Sequence, residues 1–121
     1  MNPKRILLAD DDELSLQLLK IFFDRMIPGY QITTVKDGAE ALAQLLQHPF
    51  DLILTDYHMP RVNGLELARS ARRISPNIPV ILMSGCTYAD LEIQDCSINL
   101  NGFLAKPFTV LDLKQLLQQT A

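Results

Sequence analysis

The chain has 121 residues, of which 48% are apolar and 21% are charged, and its formal net charge is −3. This profile is typical of one soluble globular domain with a single core. No basic patch stands out beyond Arg69, Arg72 and Arg73, so a nucleic-acid-binding surface, which needs clustered cations, is not predicted. Cys86 and Cys96 are too few and too far apart for a disulfide scaffold or a zinc site.

The amino-terminal residues bear on the cellular compartment. The first apolar run stops at Ala9 and meets the acidic stretch 10–13, which fits neither a signal peptide nor a membrane span. Reduced thiols and the missing leader predict a cytoplasmic protein without a membrane partner. No effector domain follows before Ala121. We leave open whether the domain stands alone or belongs to a longer regulator.

Short apolar runs, each bounded by polar or turn residues, alternate with stretches of helical periodicity. The runs that predict strands are Ile6–Ala9, Gln31–Val35, Leu52–Thr55, Val80–Met83 and Phe103–Ala105. Parallel strands that are buried on both faces have this length and composition. The alternation predicts an α/β domain with a parallel sheet that helices cover on both faces.

The apolar stripes of the helices are expected to face the sheet. For the first helix the predicted stripe is Leu14, Leu18, Phe22 and Met26, widened by Leu19 and Phe23. For the second it is Ala39, Leu42, Ala43 and Leu46, for the third Leu65, Ala68 and Ala71, and for the last Val110, Leu113, Leu116 and Leu117. A further short helix is expected within Thr87–Leu100, and Thr109 with Asp112 resembles a capping box.

Chemically reactive side chains follow four of the predicted strands. Asp10 and Asp11 follow the first strand, Asp56 the third, Ser84 the fourth and Lys106 the fifth. Each of them alone has an ordinary explanation, as a helix end, a turn or a surface charge. Because parallel strands bring their carboxyl ends to one edge, we expect all of them to share a single site.

The residue types at this edge indicate phosphoryl chemistry. Three carboxylates held close together repel one another and need a cation. A set of oxygen ligands suits Mg²⁺, with Mn²⁺ as an alternative. Lys106 adds a positive charge and Ser84 a hydroxyl donor, which an incoming phosphoryl group requires. Asp56 is the natural nucleophile, because carboxylates form aspartyl phosphates.

Four stretches of the sequence, ILLADDDE, DLILTDYHMPRVNG, VILMSG and GFLAKPF, resemble the receiver domain of two-component response regulators. The resemblance covers essentially the whole chain, residues 1–121, as one domain. It implies a flavodoxin-like fold whose five parallel strands have the order 2-1-3-4-5. The sequence departs from the family pattern between Cys86 and Asn101, where the usual Ala-rich fourth helix is replaced by IQDCSINLNG.

The resemblance also implies a role for each residue of the metal site. Asp56 looks like the phosphoacceptor. Asp10 and Asp11 look like the acidic pair, with Asp11 a direct Mg²⁺ ligand and Asp10 acting largely through water. The backbone carbonyl of His58 is expected to complete the protein's share of the metal shell.

Other positions match residues that govern the response of the family to phosphorylation. Ser84 corresponds to the switch hydroxyl, Lys106 to the lysine that contacts the phosphoryl group, and Phe103 to the rotating aromatic. His58 and Cys86 stand where receiver side chains flank the path of attacking water. Because both are larger than a minimal side chain, we expect them to prolong the lifetime of the phosphorylated state.

The function implied by the resemblance is that of a phosphorylation-controlled switch. A sensor histidine kinase or a histidine phosphotransfer protein is expected to donate phosphate from phosphohistidine to Asp56, changing a surface that contacts an effector domain or protein. Such a domain is a substrate that modifies itself, not a turnover enzyme. One alternative is a phosphohydrolase with an aspartyl nucleophile, although His58 replaces the second acid of its Asp-x-Asp pattern. The other is a pseudo-receiver that binds partners without phosphorylation.

Overall fold

A five-stranded sheet forms the centre of the computed structural model, which describes residues 4–85 and 100–120. The strands are β1 Lys4–Ala9, β2 Tyr30–Val35, β3 Leu52–Asp56, β4 Val80–Ser84 and β5 Gly102–Ala105. The helices of the described residues are α1 Glu13–Arg25, α2 Gly38–Gln47, α3 Gly64–Ile74 and α4 Val110–Thr120. The predicted helix within Thr87–Leu100 falls on positions outside the described ranges, apart from Leu100.

All neighbouring strands are parallel, and their order is β2-β1-β3-β4-β5. The predicted fold class and strand order are therefore confirmed. Alternate residues of one strand point to opposite faces of the sheet. Ile6 and Leu8 pack in a core cluster with residues of α1 and α4, whereas Leu7 packs in a second cluster with residues of α2 and α3. Helices thus cover both faces, as predicted.

Side chains of the preceding loops cap the helices. Asp12, Asp37 and Asn63 are the N-caps of α1, α2 and α3, and each accepts a hydrogen bond from a backbone N–H of the first turn. The predicted capping box of α4 is present: the Asp112 N–H donates to Thr109 Oγ1 at 3.1 Å, and the Thr109 N–H donates to Asp112 Oδ2 at 2.9 Å. These bonds satisfy amides that a helix leaves unpaired.

The predicted inward face of α1 is half right, since Leu19 and Phe23 are buried and Phe22 packs against the core, but the other three residues are exposed. Leu14 is 73% exposed, Leu18 52% and Met26 48%. The residues of α1 that are buried are Leu16, Leu19 and Phe23, of which only the last two belonged to the predicted stripe. Both sides of this helix carry large apolar residues, so periodicity alone does not decide which side meets the sheet. The exposed side borders an open cavity of about 330 Å³ lined by residues that include Leu18, Phe22 and Phe108.

The predicted face of α2 is wrong, whereas those of α3 and α4 are confirmed. In α2 the buried residues are Gly38, Ala41 and Leu45, while Ala39, Ala43 and Leu46 are exposed and Leu42 is half-buried. In α3, Leu65, Ala68 and Ala71 are buried as predicted. In α4, Leu113 and Leu117 are buried, and Val110 and Leu116 pack against the core. No helix among the described residues is long and apolar enough to cross a membrane.

The loop between β3 and α3 contains a strained residue at its tip. Arg61 has a φ of 69°, and the Val62 N–H donates to the Pro60 carbonyl at 2.8 Å, which makes this segment a γ-turn. A non-glycine residue held in this region costs about 1–3 kcal/mol. Glycine removes the strain but loses about 0.5–1 kcal/mol of chain entropy on folding.

We therefore expect Arg61→Gly to raise the free energy of unfolding by about 0.5–1 kcal/mol. Urea denaturation followed by circular dichroism measures the change. Arg73→Gly is the matched control, because the same substitution inside α3 should lower stability by about 1 kcal/mol. A decrease for Arg61→Gly as well would show that the turn stores no strain.

Candidate functional site

The carboxyl ends of β1, β3, β4 and β5 bring the predicted site residues to one edge of the sheet. Asp10 directly follows β1 and is 0% exposed, and Asp56 ends β3 and is 8% exposed. Asp11 lies beside them and is exposed. Each of the three offers a carboxylate oxygen, and these oxygens all lie within 4.8 Å of one another. The structure therefore assembles the three acids that the sequence predicted.

Lys106 supplies a positive charge to this cluster from the end of β5. Its Nζ lies 2.9 Å from Asp10 Oδ2 and 3.6 Å from Asp56 Oδ2. The Lys106 backbone N–H donates to the Ser84 carbonyl at 2.7 Å, which ties the end of β5 to the end of β4. The ammonium thus partly neutralises two of the three carboxylates and is held where they meet.

Asp10 has both of its carboxylate oxygens occupied by protein donors. Oδ2 accepts from Lys106, and Oδ1 accepts from the Asp12 N–H at 2.9 Å. Asp12 itself turns away to cap α1, where it accepts from the Leu14 N–H and from Ser15 Oγ. The acid cluster therefore consists of Asp10, Asp11 and Asp56, and Asp12 is the N-cap of α1 instead.

Burial is the main electrostatic influence on Asp56. It raises the pKa of this carboxyl above its usual value; the Lys106 ammonium opposes the rise, and the negative charges of Asp10 and Asp11 add to it. Burial alone would lower the pKa of Lys106, but its hydrogen bond to Asp10 and the attraction of both buried acids outweigh this and raise it. A second cation beside Asp56 would favour its ionised form.

The spacing of the acids fits a small divalent cation. In an octahedral Mg²⁺ site with bonds of about 2.1 Å, opposite ligands lie about 4.2 Å apart. The oxygens of Asp10, Asp11 and Asp56 all lie within 4.8 Å of one another, so these carboxylates are close enough to share one cation directly or through a bridging water. Carboxylate oxygens without nitrogen or sulfur ligands are the donors that Mg²⁺ prefers.

The remaining predicted residues of the described part of the chain lie on β4, on β5 and in the loop after β3. Ser84 is fully buried at the end of β4. His58 is exposed, and its ring meets the Tyr57 ring edge-on with centroids 4.9 Å apart. Phe103 is partly exposed on β5 and lines an open pocket of about 430 Å³. Cys86 lies outside the described residues.

Sequence reasoning missed two residues that hold Asp56 in place. A methyl group added at Gly64 would lie 2.4 Å from the Asp56 carbonyl oxygen, so only glycine allows α3 to begin this close to β3. Thr55 is buried in β3, and its Oγ1 donates to the same carbonyl at 3.0 Å. In the sequence, Thr55 differed from its neighbours only as a hydroxyl residue in an otherwise apolar strand. Gly64 was interpreted only as a residue that interrupts regular secondary structure.

A sequence profile of the response regulator receiver domain matches residues 6–118. The chain belongs to this family. Receiver domains are regulatory switches of two-component signalling and bind Mg²⁺ at an acidic cluster, which in this chain is formed by Asp10, Asp11 and Asp56. They work with histidine kinases and effector domains.

The sequence is similar to several curated response regulators. It is 36% identical over 110 residues to the response regulator receiver protein CpdR of Brucella abortus, covering 91% of this chain and 90% of that protein. It is 33% identical over 109 residues to the response regulator GtcR of Aneurinibacillus migulanus, covering 90% of this chain but 44% of that protein. The sensor protein EvgS of Escherichia coli matches at 32% identity over 114 residues, which are 94% of this chain and 9% of EvgS. The receiver domain thus spans most of one relative and a fraction of the others.

Solved structures share the fold along the whole chain. The chemotaxis response regulator CheY4 of Vibrio cholerae superposes with a TM-score of 0.88 at 26% identity, covering 99% of this chain and 100% of that one. The receiver domain of the sensor histidine kinase PA1611 from Pseudomonas aeruginosa, whose active-site cleft coordinates a magnesium ion, superposes with a TM-score of 0.84 at 27% identity, covering 97% and 96%.

Proposed function

We propose that this receiver domain accepts a phosphoryl group on Asp56 from the phosphohistidine of a sensor histidine kinase or a histidine phosphotransfer protein. The observation that carries the proposal is the cluster at the end of β3. A nearly buried carboxylate lies beside two further acids, and the Lys106 ammonium stands 3.6 Å from its Oδ2. A carboxylate held between a cation site and an ammonium can attack a phosphoryl group whose charge both would neutralise.

In the transfer, a carboxylate oxygen of Asp56 forms a bond to phosphorus while the phosphorus–nitrogen bond of the donor breaks. The released imidazole keeps the bonding electron pair and takes up a proton. Lys106 is oriented by its hydrogen bond to Asp10 and lies 3.6 Å from Asp56 Oδ2, so its ammonium is close to the oxygen that would carry the phosphoryl group. The domain thereby catalyses the modification of its own side chain and the later hydrolysis of the acyl phosphate.

Asp11 is the residue best suited to bind the cation directly, because it is exposed, whereas each carboxylate oxygen of Asp10 already accepts a hydrogen bond from the protein. We assign Asp11, Asp56 and the His58 carbonyl to the inner set of ligands, and Asp10 to a contact through water. When bound, Mg²⁺, or Mn²⁺ in its place, neutralises the charge that develops on the phosphoryl oxygens. The ion pair between Lys106 Nζ and Asp10 Oδ2, at 2.9 Å, lies beside this site.

The response to phosphorylation is assigned to Ser84 and Phe103. A phosphoryl group on Asp56 offers the buried Ser84 hydroxyl a charge-assisted hydrogen bond, which draws the end of β4 towards it. Phe103, partly exposed on the neighbouring strand, would then turn inward. The rearranged surface is the one that an effector domain or protein would read. No nucleic acid or membrane contact is assigned to this domain, and the cytoplasm stays the predicted compartment.

Two other functions fit the residues less well. A phosphohydrolase of the aspartyl type needs a second acid two positions after the nucleophile, where this chain has His58. A pseudo-receiver, which is not phosphorylated, does not require a lysine between Asp10 and Asp56, where this chain has Lys106. The phosphoacceptor function accounts for all of these residues.

The direct test is chemical labelling with acetyl phosphate and Mg²⁺. We expect an acid-stable, base-labile adduct, which borohydride reduction followed by peptide mass spectrometry places at Asp56. Chelation of the metal should prevent it. Labelling at another residue, or labelling that survives chelation, would contradict the proposal.

Mg²⁺ affinity should depend on Asp11 far more than on its neighbour Asp12. Asp11→Asn removes one ligand charge and should weaken binding at least about tenfold. Asp12→Asn is the matched control, since Asp12 caps α1 and asparagine caps a helix equally well. Calorimetric titration with Mg²⁺ measures both. Equal losses would mean that the cation meets a diffuse acidic surface instead of a defined site.

His58 is proposed to shield the acyl phosphate from water, together with Cys86. The side chain is exposed and only two residues beyond Asp56, so an imidazole there crowds the approach of an in-line water. His58→Ala should shorten the lifetime of phospho-Asp56, and Cys86→Ala should shorten it less. The decay is followed after removal of the phosphodonor. A longer lifetime in His58→Ala would indicate that the imidazole assists hydrolysis instead.

A further inference from the structure

The first residue of α2 touches the loop that follows Asp56. Gly38 is buried, and a methyl group built on it would lie 2.6 Å from Val62 Cβ, 2.7 Å from Val62 Cγ1 and 3.1 Å from the Val62 carbonyl. The optimal separation of non-bonded carbons is about 3.5–4.0 Å. The β3–α3 loop therefore rests directly on the backbone of α2, and any larger residue at position 38 would push the two apart.

The α2 side of this contact is rigid. Asp37 caps the helix by accepting from the Glu40 N–H at 2.7 Å, and Glu40 Oε2 in turn accepts from the Lys36 N–H at 3.1 Å. One turn further, Ala41 is 0% exposed beneath the sheet. Since this end of α2 is capped and packed, a clash at Gly38 is relieved by movement of the loop.

The β3–α3 loop is short and is held at both ends, so its residues move together. Its base is closed by hydrogen bonds from the Gly64 N–H to the Tyr57 carbonyl at 2.9 Å and from the Tyr57 N–H to the Met83 carbonyl at 2.8 Å. Its tip is the γ-turn at Arg61, and Met59 is buried between them. A displacement of Val62 is therefore passed along the short segment that carries His58.

We infer that Gly38 and Val62 are positioning residues that set the height of the β3–α3 loop above the acid cluster, and thereby the affinity for the divalent cation. The inference rests on the proposed function, in which this loop presents the His58 carbonyl to the metal. Neither residue contacts the cation. Their contact holds a ligand in place, and the affinity depends on how well that ligand is held.

The test is a set of Mg²⁺ titrations by calorimetry on Gly38→Ala, Val62→Gly and the double variant. Gly38→Ala should weaken Mg²⁺ binding about tenfold by displacing the loop, and Val62→Gly should weaken it less by removing the support. In the double variant the alanine methyl occupies the space that the valine vacates. We expect its affinity to return to within about threefold of the original, so that the two losses are not additive.

Gly102→Ala is the matched control. Gly102 lies on β5, away from this loop, and a methyl group on it would lie 2.7 Å from Leu116 Cδ1 of α4. The substitution should lower the denaturation midpoint and leave Mg²⁺ affinity unchanged. If folded Gly38→Ala binds Mg²⁺ normally, or if the double variant shows the full sum of both losses, the inference is overturned. If Asp11→Asn weakens Mg²⁺ binding and Gly38→Ala does not, only the positioning role is refuted. If Asp11→Asn does not weaken Mg²⁺ binding either, the proposed function is refuted as well.

Discussion

Asp56→Asn should abolish phosphorylation by acetyl phosphate and Mg²⁺. The amide that replaces the carboxylate cannot act as the nucleophile, and no other carboxylate in the cluster has the same surroundings. The carboxylate of Asp10 accepts hydrogen bonds from Lys106 and from the Asp12 N–H, and Asp11 is exposed, whereas Asp56 is buried. The amount of acyl phosphate per chain, measured by intact-protein mass spectrometry, should fall from near stoichiometric to undetectable.

Asp51→Asn is the matched control for this experiment. Asp51 lies just before the opposite end of β3, where its carboxylate accepts a hydrogen bond from the Arg5 N–H at 2.7 Å. The substitution changes the net charge by the same amount and should leave labelling intact. Stoichiometric labelling of Asp56→Asn would assign the nucleophile to another residue, and loss of labelling in both variants would point to a general effect of charge or folding.

Gly64→Ala should be the most destabilising single-methyl change in the described part of the chain. Its methyl would lie 2.4 Å from the Asp56 carbonyl oxygen and 2.7 Å from Leu82 Cδ1. The carbonyl belongs to β3, whose register with β4 pairs Asp56 with Met83, so it cannot retreat without distorting the sheet. Overpacking of this kind costs about 3 kcal/mol, a large part of the roughly 5–15 kcal/mol that stabilises a typical domain.

Urea denaturation monitored by circular dichroism measures this loss, and Gly85→Ala is its control. A methyl group on Gly85 would meet no described atom within 4 Å, so its free energy of unfolding should change by less than about 0.5 kcal/mol. Equal stability of the two variants would show that α3 can move away from β3. Because the clash falls on Asp56 itself, Gly64→Ala should also slow labelling.

The sequence alone determined the architecture and the composition of the site. The strands were predictable because each is a short apolar run between breakers, a pattern that few other structures share. The convergence of Asp10, Asp56 and Lys106 followed from the rule that parallel strands end at one edge of the sheet. The capping box of Thr109 and Asp112 was predictable because it depends on residues only three positions apart.

Only the tertiary structure decided which sides of α1 and α2 are buried and what supports the loop after Asp56. Leu14, Leu18 and Met26 are as apolar as Leu16 and Phe23, so the pattern permitted either side, and the docking of the helix on the sheet selected one. The contacts of Gly38 with Val62 and of Gly64 with the Asp56 carbonyl join residues 24 and eight positions apart. A glycine in a sequence does not reveal its neighbour, because the space that it leaves is defined by another segment of the chain.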